Sequence, residues 1–395
     1  RIYSGVIMSE KLRFETKAIH VGNIPDEETG AVSPPIHFTS TYQQSGVGKN
    51  RGFDYSRAAN PTRQRYEENI ASLESGNYGI AFASGMAATT ALFQTLTHGD
   101  HVIIGRNTYG GTYRMAVEVL SKHGFYFEFV DTKFLDQVEN VIKPNTKWIF
   151  LETPTNPLLE LCDIKAIAQL CKSHDVKLAV DNTFMSPYGQ NPLAFGADLV
   201  MHSATKSIGG HSDLLGGVLI TNEKELADQL YFIQKSGGAV PSPFDCWMLL
   251  RSTKTMGLRV QKQSDNAMTL AHRLESHPSI ESIMYPGLES HPQFELAKCQ
   301  QLNSDGVPIF GSIISMELGS VEARDYFLSK IQLFTLAESL GGVESLVCVP
   351  FGMTHGSVPV EIKNEIGLTE CLIRLSVGIE HVEDLYVDIT QALKK

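Results

Sequence analysis

The sequence predicts an α/β protein with a mostly parallel sheet, preceded by an extended arm and followed by a smaller α+β domain. Three observations predict this fold class. Short apolar runs alternate with helix-like segments after residue 60, the residues before that point are rich in turn formers, and a long helix-like segment opens a region of mixed strands and helices after residue 257. We therefore expect an arm over 1–60, a large domain over 61–257 and a small domain over 258–395.

The predicted arm has no helix or strand period and contains turn formers such as Pro34-Pro35 and Gly48. Segments of this kind often extend to a second subunit. Near its start, Met8 is followed by Ser9 and Glu10. We expect residues 1–7 not to belong to the natural protein, which mass analysis of that protein would test.

Short apolar runs predict the strands of the large domain. Amphipathic segments such as Ile164–His174 separate these runs, and this alternation is typical of a parallel sheet that is covered on both faces. In such sheets, ligands bind at the carboxyl ends of the strands. The predicted strands are Ile80–Ala83, His101–Ile104, Phe127–Val130, Trp148–Leu151, Leu178–Val180, Leu199–His202 and Gly217–Ile220.

The small domain is predicted from a long helix and the mixed pattern that follows it. The helix is expected over Leu258–Leu274. Apolar runs at Ser282–Tyr285, Gly311–Leu318 and Cys371–Val377 predict strands, with helices between them. This succession indicates an α+β arrangement.

Composition excludes several classes of function. The net charge is 33 − 44 = −11, whereas nucleic-acid binding needs a basic face. No apolar run approaches the roughly 18 residues of a membrane span, and no secretory signal pattern is present. The six cysteines include no CxxC pair and mostly lie in apolar surroundings, so we expect buried reduced thiols and a cytoplasmic protein. His98 and His101 predict a solvated loop rather than a metal pair, and we expect no metal.

Chemically distinctive residues follow three of the predicted strands. Leu178–Val180 is followed by Asp181, Leu199–His202 by a segment that contains Lys206, and Ile80–Ala83 by Ser84-Gly85-Met86 at the start of a helix. An acid, an amine and an anion-binding helix N-terminus at one sheet edge suit pyridoxal phosphate.

Taken singly, each of these features has a more ordinary explanation. Asp181 fits a helix cap or turn, Lys206 a solvated loop, and Ser84-Gly85 a simple helix start. Their common position at the ends of strands in one predicted sheet favours the cofactor site.

Motifs spread over nearly the whole chain give a more specific indication. Together they resemble the Cys/Met-metabolism family of pyridoxal-phosphate enzymes, which have the aspartate-aminotransferase fold (type I). This resemblance implies a three-layer fold around a mostly parallel, seven-stranded sheet. The matching segments are Phe53–Arg57, Asn60–Arg63, Phe82–Met86, Tyr109–Thr112, Glu152–Pro157, Val180–Thr183, Ser203–Lys206, Gly210–Asp213, Leu336–Gly342 and Leu372–Ser376.

The resemblance assigns the cofactor site residue by residue. It implies that Lys206 holds the cofactor through an imine and later acts as a base, and that Asp181 pairs with the ring nitrogen. Tyr109 would stack on the ring and assist catalysis. The phosphate would be bound by Ser203, Thr205 and the N–H groups of Gly85 and Met86, and, from a neighbouring subunit, by Tyr55 and Arg57.

The resemblance also implies how an amino-acid substrate is held and how the subunits assemble. Arg374 would bind the substrate α-carboxylate through a bidentate pair. Ser339 and Asn156 would orient carboxylate and cofactor. The expected assembly is a homotetramer of two active dimers.

Within the family, the residues favour γ-elimination of cystathionine to cysteine, 2-oxobutanoate and ammonia, with side reactions that release hydrogen sulfide. Glu338 fits the distal amino group of cystathionine, although a carboxylate at a helix start would look the same. Ala239–Asp245, and Val349-Pro350 before Met353–His355, also resemble the γ-lyases of the family. Asp54 points toward the alternative, a γ-synthase that joins cysteine to an activated homoserine. Gly111 replaces the cysteine usual in methionine γ-lyases.

Two further observations bear on the assignment. Ser207 stands where an aromatic residue commonly follows the lysine, which leaves open how the lysine loop is packed. A non-catalytic scaffold of the same fold is the remaining alternative, and the presence of Lys206, Asp181 and Arg374 together counts against it.

Overall fold

The computed structural model describes residues 12–393. The expectation about residues 1–7 therefore lies outside the described residues. Within the described part of the arm, a short helix, α1, spans Phe14–His20, and an isolated bridge joins Thr41 to Tyr55. The division of the chain near residues 60 and 257 stays a proposal.

Within residues 12–393, the larger sheet has seven strands, β1 to β7, in the spatial order β1-β7-β6-β5-β4-β2-β3. Only β7 runs against its neighbours, so the prediction of a mostly parallel sheet is confirmed. Each predicted apolar run coincides with one strand. The strands are β1 Tyr78–Phe82, β2 His101–Gly105, β3 Tyr126–Val130, β4 Thr146–Glu152, β5 Lys177–Asp181, β6 Leu199–Ser203 and β7 Gly217–Thr221.

The central strands are continuously apolar because helices cover both faces of the sheet. On β5, Leu178 and Val180 pack into one buried cluster, whereas Ala179 between them packs into the cluster on the opposite face. The covering helices are α2 Pro61–Leu73, α3 Gly85–Phe93, α4 Gly110–Arg114, α5 Leu135–Asn140, α6 Ile164–Ser173, α7 Ser186–Gly189, α8 Lys224–Gly237 and α9 Pro243–Thr253.

The second sheet is mainly antiparallel and has the order β10-β11-β12-β9-β8. The long helix α10 begins at Met256, two residues before the predicted start, and its inner face packs on this sheet with the buried side chains of Tyr285 and Phe327. The elements are α10 Met256–Leu274, β8 Ser282–Met284, α11 Phe294–Gln300, β9 Ile313–Glu317, α12 Val321–Lys330, β10 Thr335–Leu336, β11 Leu346–Cys348, α13 Val360–Glu365, β12 Leu372–Ser376 and α14 Val382–Leu393.

Two sequence predictions were wrong in detail. Cys299 is exposed because it lies on the outer face of α11, as Glu295 does one turn earlier, and Cys371 is partly exposed just before β12; all six cysteines are free. His101 does not lie in a solvated loop: it begins β2, is buried, and its Nδ1 lies 2.8 Å from the Thr146 hydroxyl. Across residues 12–393, no helix has the length and apolar character to cross a membrane.

Candidate active site

A cavity of about 400 Å³ lies at the carboxyl ends of β4, β5 and β6, where the start of α3 and a loop of the second sheet converge. All predicted site residues except Tyr55 and Arg57 line it. The lining residues are Ser84, Gly85, Met86, Thr89, Tyr109, Thr112, Glu152, Asn156, Asp181, Thr183, Phe184, Met201, Ser203, Thr205, Lys206, Leu215, Glu338, Ser339, Leu340, Thr354 and Arg374.

Lys206 enters the cavity from the turn that follows β6. Its Nζ donates a hydrogen bond of 2.8 Å to the hydroxyl of Ser339. Burial, with a smaller contribution from the positive charge of Arg374, lowers the pKa of Lys206 to about 8. This shift brings the pKa of the amine close to neutral pH, which suits a group that acts as a nucleophile or base.

Asp181 ends β5 at the floor of the cavity. Thr183 donates to the carboxylate through its backbone N–H at 3.0 Å, but burial dominates and raises the pKa of Asp181. Within the described residues, Asp181 has no ion-pair partner. A buried carboxylate of this kind fits a protonated ring nitrogen, which would supply the missing positive charge.

The first turn of α3 forms an anion-binding cradle. Ser84 caps the helix by accepting from the N–H of Ala87, which leaves the N–H groups of Gly85 and Met86 without helical partners. A Cβ at Gly85 would lie 2.9 Å from that of Ser203, so the close approach requires glycine. The Thr205 hydroxyl instead bonds to the backbone of Gly216.

Arg374 lies in the middle of β12 and is almost fully buried. Its Nη1 donates to Asn156 Oδ1 at 2.7 Å, and its Nη2 donates to the carbonyl oxygen of Ser339 at 2.9 Å. Its Nε has no partner among the described residues. A fixed, buried guanidinium with an unused donor suits a substrate carboxylate.

Ser339 connects the lysine to the arginine, since its hydroxyl accepts from Lys206 and its carbonyl oxygen accepts from Arg374. Its φ angle is 102°, an uncommon conformation for a residue other than glycine. Such strain concentrates at functional sites.

Tyr109 lies at the cavity entrance, where α4 begins, and its side chain is partly exposed. A side chain at Gly111 would collide with the Tyr109 ring. Glu338 is exposed at the mouth of the cavity. Its negative charge raises the pKa of Lys206, but burial lowers that pKa by more.

Tyr55 and Arg57 lie outside this cavity. Both are exposed; the Arg57 guanidinium packs over the Tyr55 ring, and its Nη1 donates to the carbonyl oxygen of Lys235 at 2.7 Å. The single chain does not bring them to its own cofactor cradle.

Sequence reasoning missed two buried residues that support the site. Glu152 ends β4 opposite Asp181, and burial followed by the charge of Asp181 raises its pKa to about 8. Arg259, on α10, donates to the carbonyl oxygens of Ser207 and Ile208 and so fixes the lysine loop. Glu152 also follows a buried strand, so the strand-end argument used for Asp181 could have found it.

The fold and the cavity define a pyridoxal-phosphate-dependent enzyme of fold type I. The chain belongs to the family described as Cys/Met metabolism PLP-dependent enzyme, whose model matches residues 15–394. This confirms the family and the cofactor that the sequence predicted.

Individual relatives carry out different reactions. The chain is 50% identical to cystathionine gamma-lyase of Bacillus subtilis, with 97% of this chain and 100% of that protein covered. It is 49% identical to cystathionine beta-lyase of Lactococcus lactis, with 96% and 99% covered. A solved cystathionine gamma synthase from Xanthomonas oryzae, in complex with aminoacrylate and cysteine, is 36% identical and has a TM-score of 0.93, with 97% and 98% covered. Similarity therefore defines the family and leaves the reaction open.

Proposed function

We propose that the protein catalyses γ-elimination of L-cystathionine. In this reaction cystathionine and water give cysteine, 2-oxobutanoate and ammonia. The observation that carries the proposal is the position of Glu338 at the mouth of the same cavity that contains Arg374 and Lys206.

Cystathionine has an amino-acid group at each end, and the cavity has a charged group suited to each. Arg374 is buried and would hold the α-carboxylate next to the reacting carbon. Glu338 is exposed and would attract the distal ammonium group. A β-lyase that lacks an acid here would recognise the same substrate by other contacts.

When bound, the cofactor would act as an electron acceptor that makes the Cα proton acidic. Asp181 would hold its ring nitrogen, and the α3 cradle with Ser203 would hold its phosphate. Lys206 would remove the Cα proton, and γ-elimination also requires removal of a Cβ proton, which the same amine would take up. The hydroxyl of Ser339 aims the Lys206 amine into the cavity. Tyr109 would cover the ring and protonate the departing sulfur.

We further propose a homotetramer built from two active dimers, in which Tyr55 and Arg57 bind the phosphate of the neighbouring subunit. Their exposure and their place outside their own cavity support this. The six free cysteines favour a cytoplasmic location. The same site would release hydrogen sulfide from cysteine, with water giving pyruvate and ammonia as the other products.

Product analysis tests the proposal. With cystathionine, γ-elimination gives 2-oxobutanoate and cysteine, whereas β-elimination gives pyruvate and homocysteine. The second candidate, γ-synthase activity, is favoured by Asp54 and would convert an O-acylated homoserine plus cysteine to cystathionine. Pyruvate as the main oxo acid, or faster synthesis than cleavage, would overturn the proposal.

A further inference from the structure

Glu152 ends β4 and contacts both loops that carry the cavity's predicted substrate- and ring-binding residues. Its Oε2 accepts from the N–H of Tyr109 at 2.8 Å, and its Oε1 accepts from the N–H of Asn156 at 3.0 Å. We propose that Glu152 is a positioning residue that couples the Tyr109 ring to the arginine clamp for the substrate carboxylate.

The contacts continue from Glu152 to the substrate-binding group. The Asn156 side chain, whose backbone Glu152 fixes, accepts from Nη1 of Arg374 through Oδ1 at 2.7 Å. On the other side, Tyr109 immediately precedes α4 as its cap residue, so the hydrogen bond to its N–H fixes the backbone from which the ring projects. One carboxylate therefore fixes two parts of the site that belong to different loops.

A carboxylate is the side chain suited to this role. Above its pKa of about 8 the group is ionised and both of its oxygens accept, and the two N–H groups have no other acceptor among the described residues. Glu152 is only 7% exposed, so water cannot readily replace it. An amide at this position would present an NH₂ group to one of the two donors and leave that donor buried without a partner.

A second bridge between the same loops supports the coupling. Asn107 Nδ2 donates to Thr155 Oγ1 at 3.0 Å and to Glu160 Oε2 at 3.2 Å. Glu160 also pairs with Lys133, is partly exposed and does not line the cavity. The Asn107 bridge holds the two loops next to each other. Glu152 then orients Tyr109 and Asn156 within those loops.

The test compares the holoenzymes of Glu152→Gln, Glu152→Asp and the control Glu67→Gln at about pH 9, where Glu152 is ionised. Glu67 is also buried and accepts from a backbone N–H, that of Ala81, but it does not line the cavity. We expect Glu152→Gln to speed amide hydrogen exchange at Tyr109 or Asn156 about tenfold and to lower kcat/KM about tenfold, the effect of one unpaired buried donor. Glu152→Asp keeps the charge but moves it back by one methylene, so it should also speed exchange at these amides and lower kcat/KM. The control Glu67→Gln should change neither the exchange rates nor kcat/KM.

Wild-type exchange at both amides in Glu152→Gln would overturn the proposal, as would equal acceleration of exchange throughout the chain. If Glu152→Gln fails to fold, the same comparison rests on Glu152→Asp. The inference rests on this cavity being the active site, and the exchange measurement does not depend on which bond of cystathionine is cleaved. Failure of the γ-elimination proposal would therefore appear in the products, and failure of the positioning role in the exchange rates.

Discussion

Replacing Lys206 by methionine should stabilise the cofactor-free protein while abolishing turnover. Burial and Arg374 lower the pKa of this lysine from its ordinary 10.5 to about 8. At pH 7 the folded protein must therefore hold a charged amine that its surroundings disfavour, whereas the unfolded chain holds it in water at no cost.

The pKa difference sets the size of the effect. The displacement from 10.5 to about 8 corresponds to about 3 kcal/mol, at about 1.4 kcal/mol for each pKa unit. Loss of the hydrogen bond to Ser339 removes about 1 kcal/mol. The net gain expected for Lys206→Met at pH 7 is therefore about 2 kcal/mol in the free energy of unfolding.

The sign of the pH dependence follows from proton linkage. Between pH 8 and 10.5 the unfolded chain binds more protons at this lysine than the folded protein, so wild-type stability rises with pH and the advantage of the variant disappears. Urea unfolding of both proteins without cofactor, at pH 7 and pH 10, measures this. Lys147→Met, which replaces an exposed lysine on β4, is the control. A Lys206→Met protein that is equally or less stable than wild type at pH 7 would refute the reasoning.

Three further predictions concern binding and assembly. If Arg57 acts across the interface, mixing Lys206→Ala with Arg57→Ala should restore about a quarter of wild-type activity. Random pairing makes half of the dimers mixed, and each mixed dimer has one intact site of two. No recovery on mixing would mean that Arg57 does not act across the interface. Glu338→Ala should raise KM for cystathionine about tenfold but hardly change KM for a substrate without the distal amine, and equal increases would exclude the assigned contact. Arg374→Lys should raise KM for every amino-acid substrate at least tenfold, since an ammonium cannot replace the two-point contact, and an unchanged KM would place the carboxylate elsewhere.

The large sheet was predictable because most of its strands are buried on both faces. Continuous apolar runs such as Trp148–Leu151 predict such strands, and the residues at the ends of these strands then share one edge of the sheet. The two-residue strand β10 was not predictable: Thr335 and Leu336 are both exposed, so they leave no burial pattern in the sequence.

The buried supports of the site were harder to predict than its reactive groups. Asp181 and Lys206 follow short apolar strands and belong to motifs. Arg259 lies within a helix among other polar residues, where one arginine in the sequence looks like any solvated one. Only the three-dimensional fold brings it beside the carbonyl oxygens of Ser207 and Ile208, more than fifty residues earlier in the chain.

The position after the lysine shows how such supports replace a missing side chain. Ser207 stands where an aromatic residue is common, yet the lysine loop is not loosely packed. A Cβ on Gly341 would lie 2.7 Å from both the backbone nitrogen and the hydroxyl oxygen of Ser207, so the loop that carries Ser339 packs directly on this residue. Arg259 holds the Ser207 carbonyl oxygen from the other side. The Gly341 backbone and the Arg259 side chain therefore fix the chain next to Lys206, and the contact with Gly341 also holds the strained loop that carries Ser339.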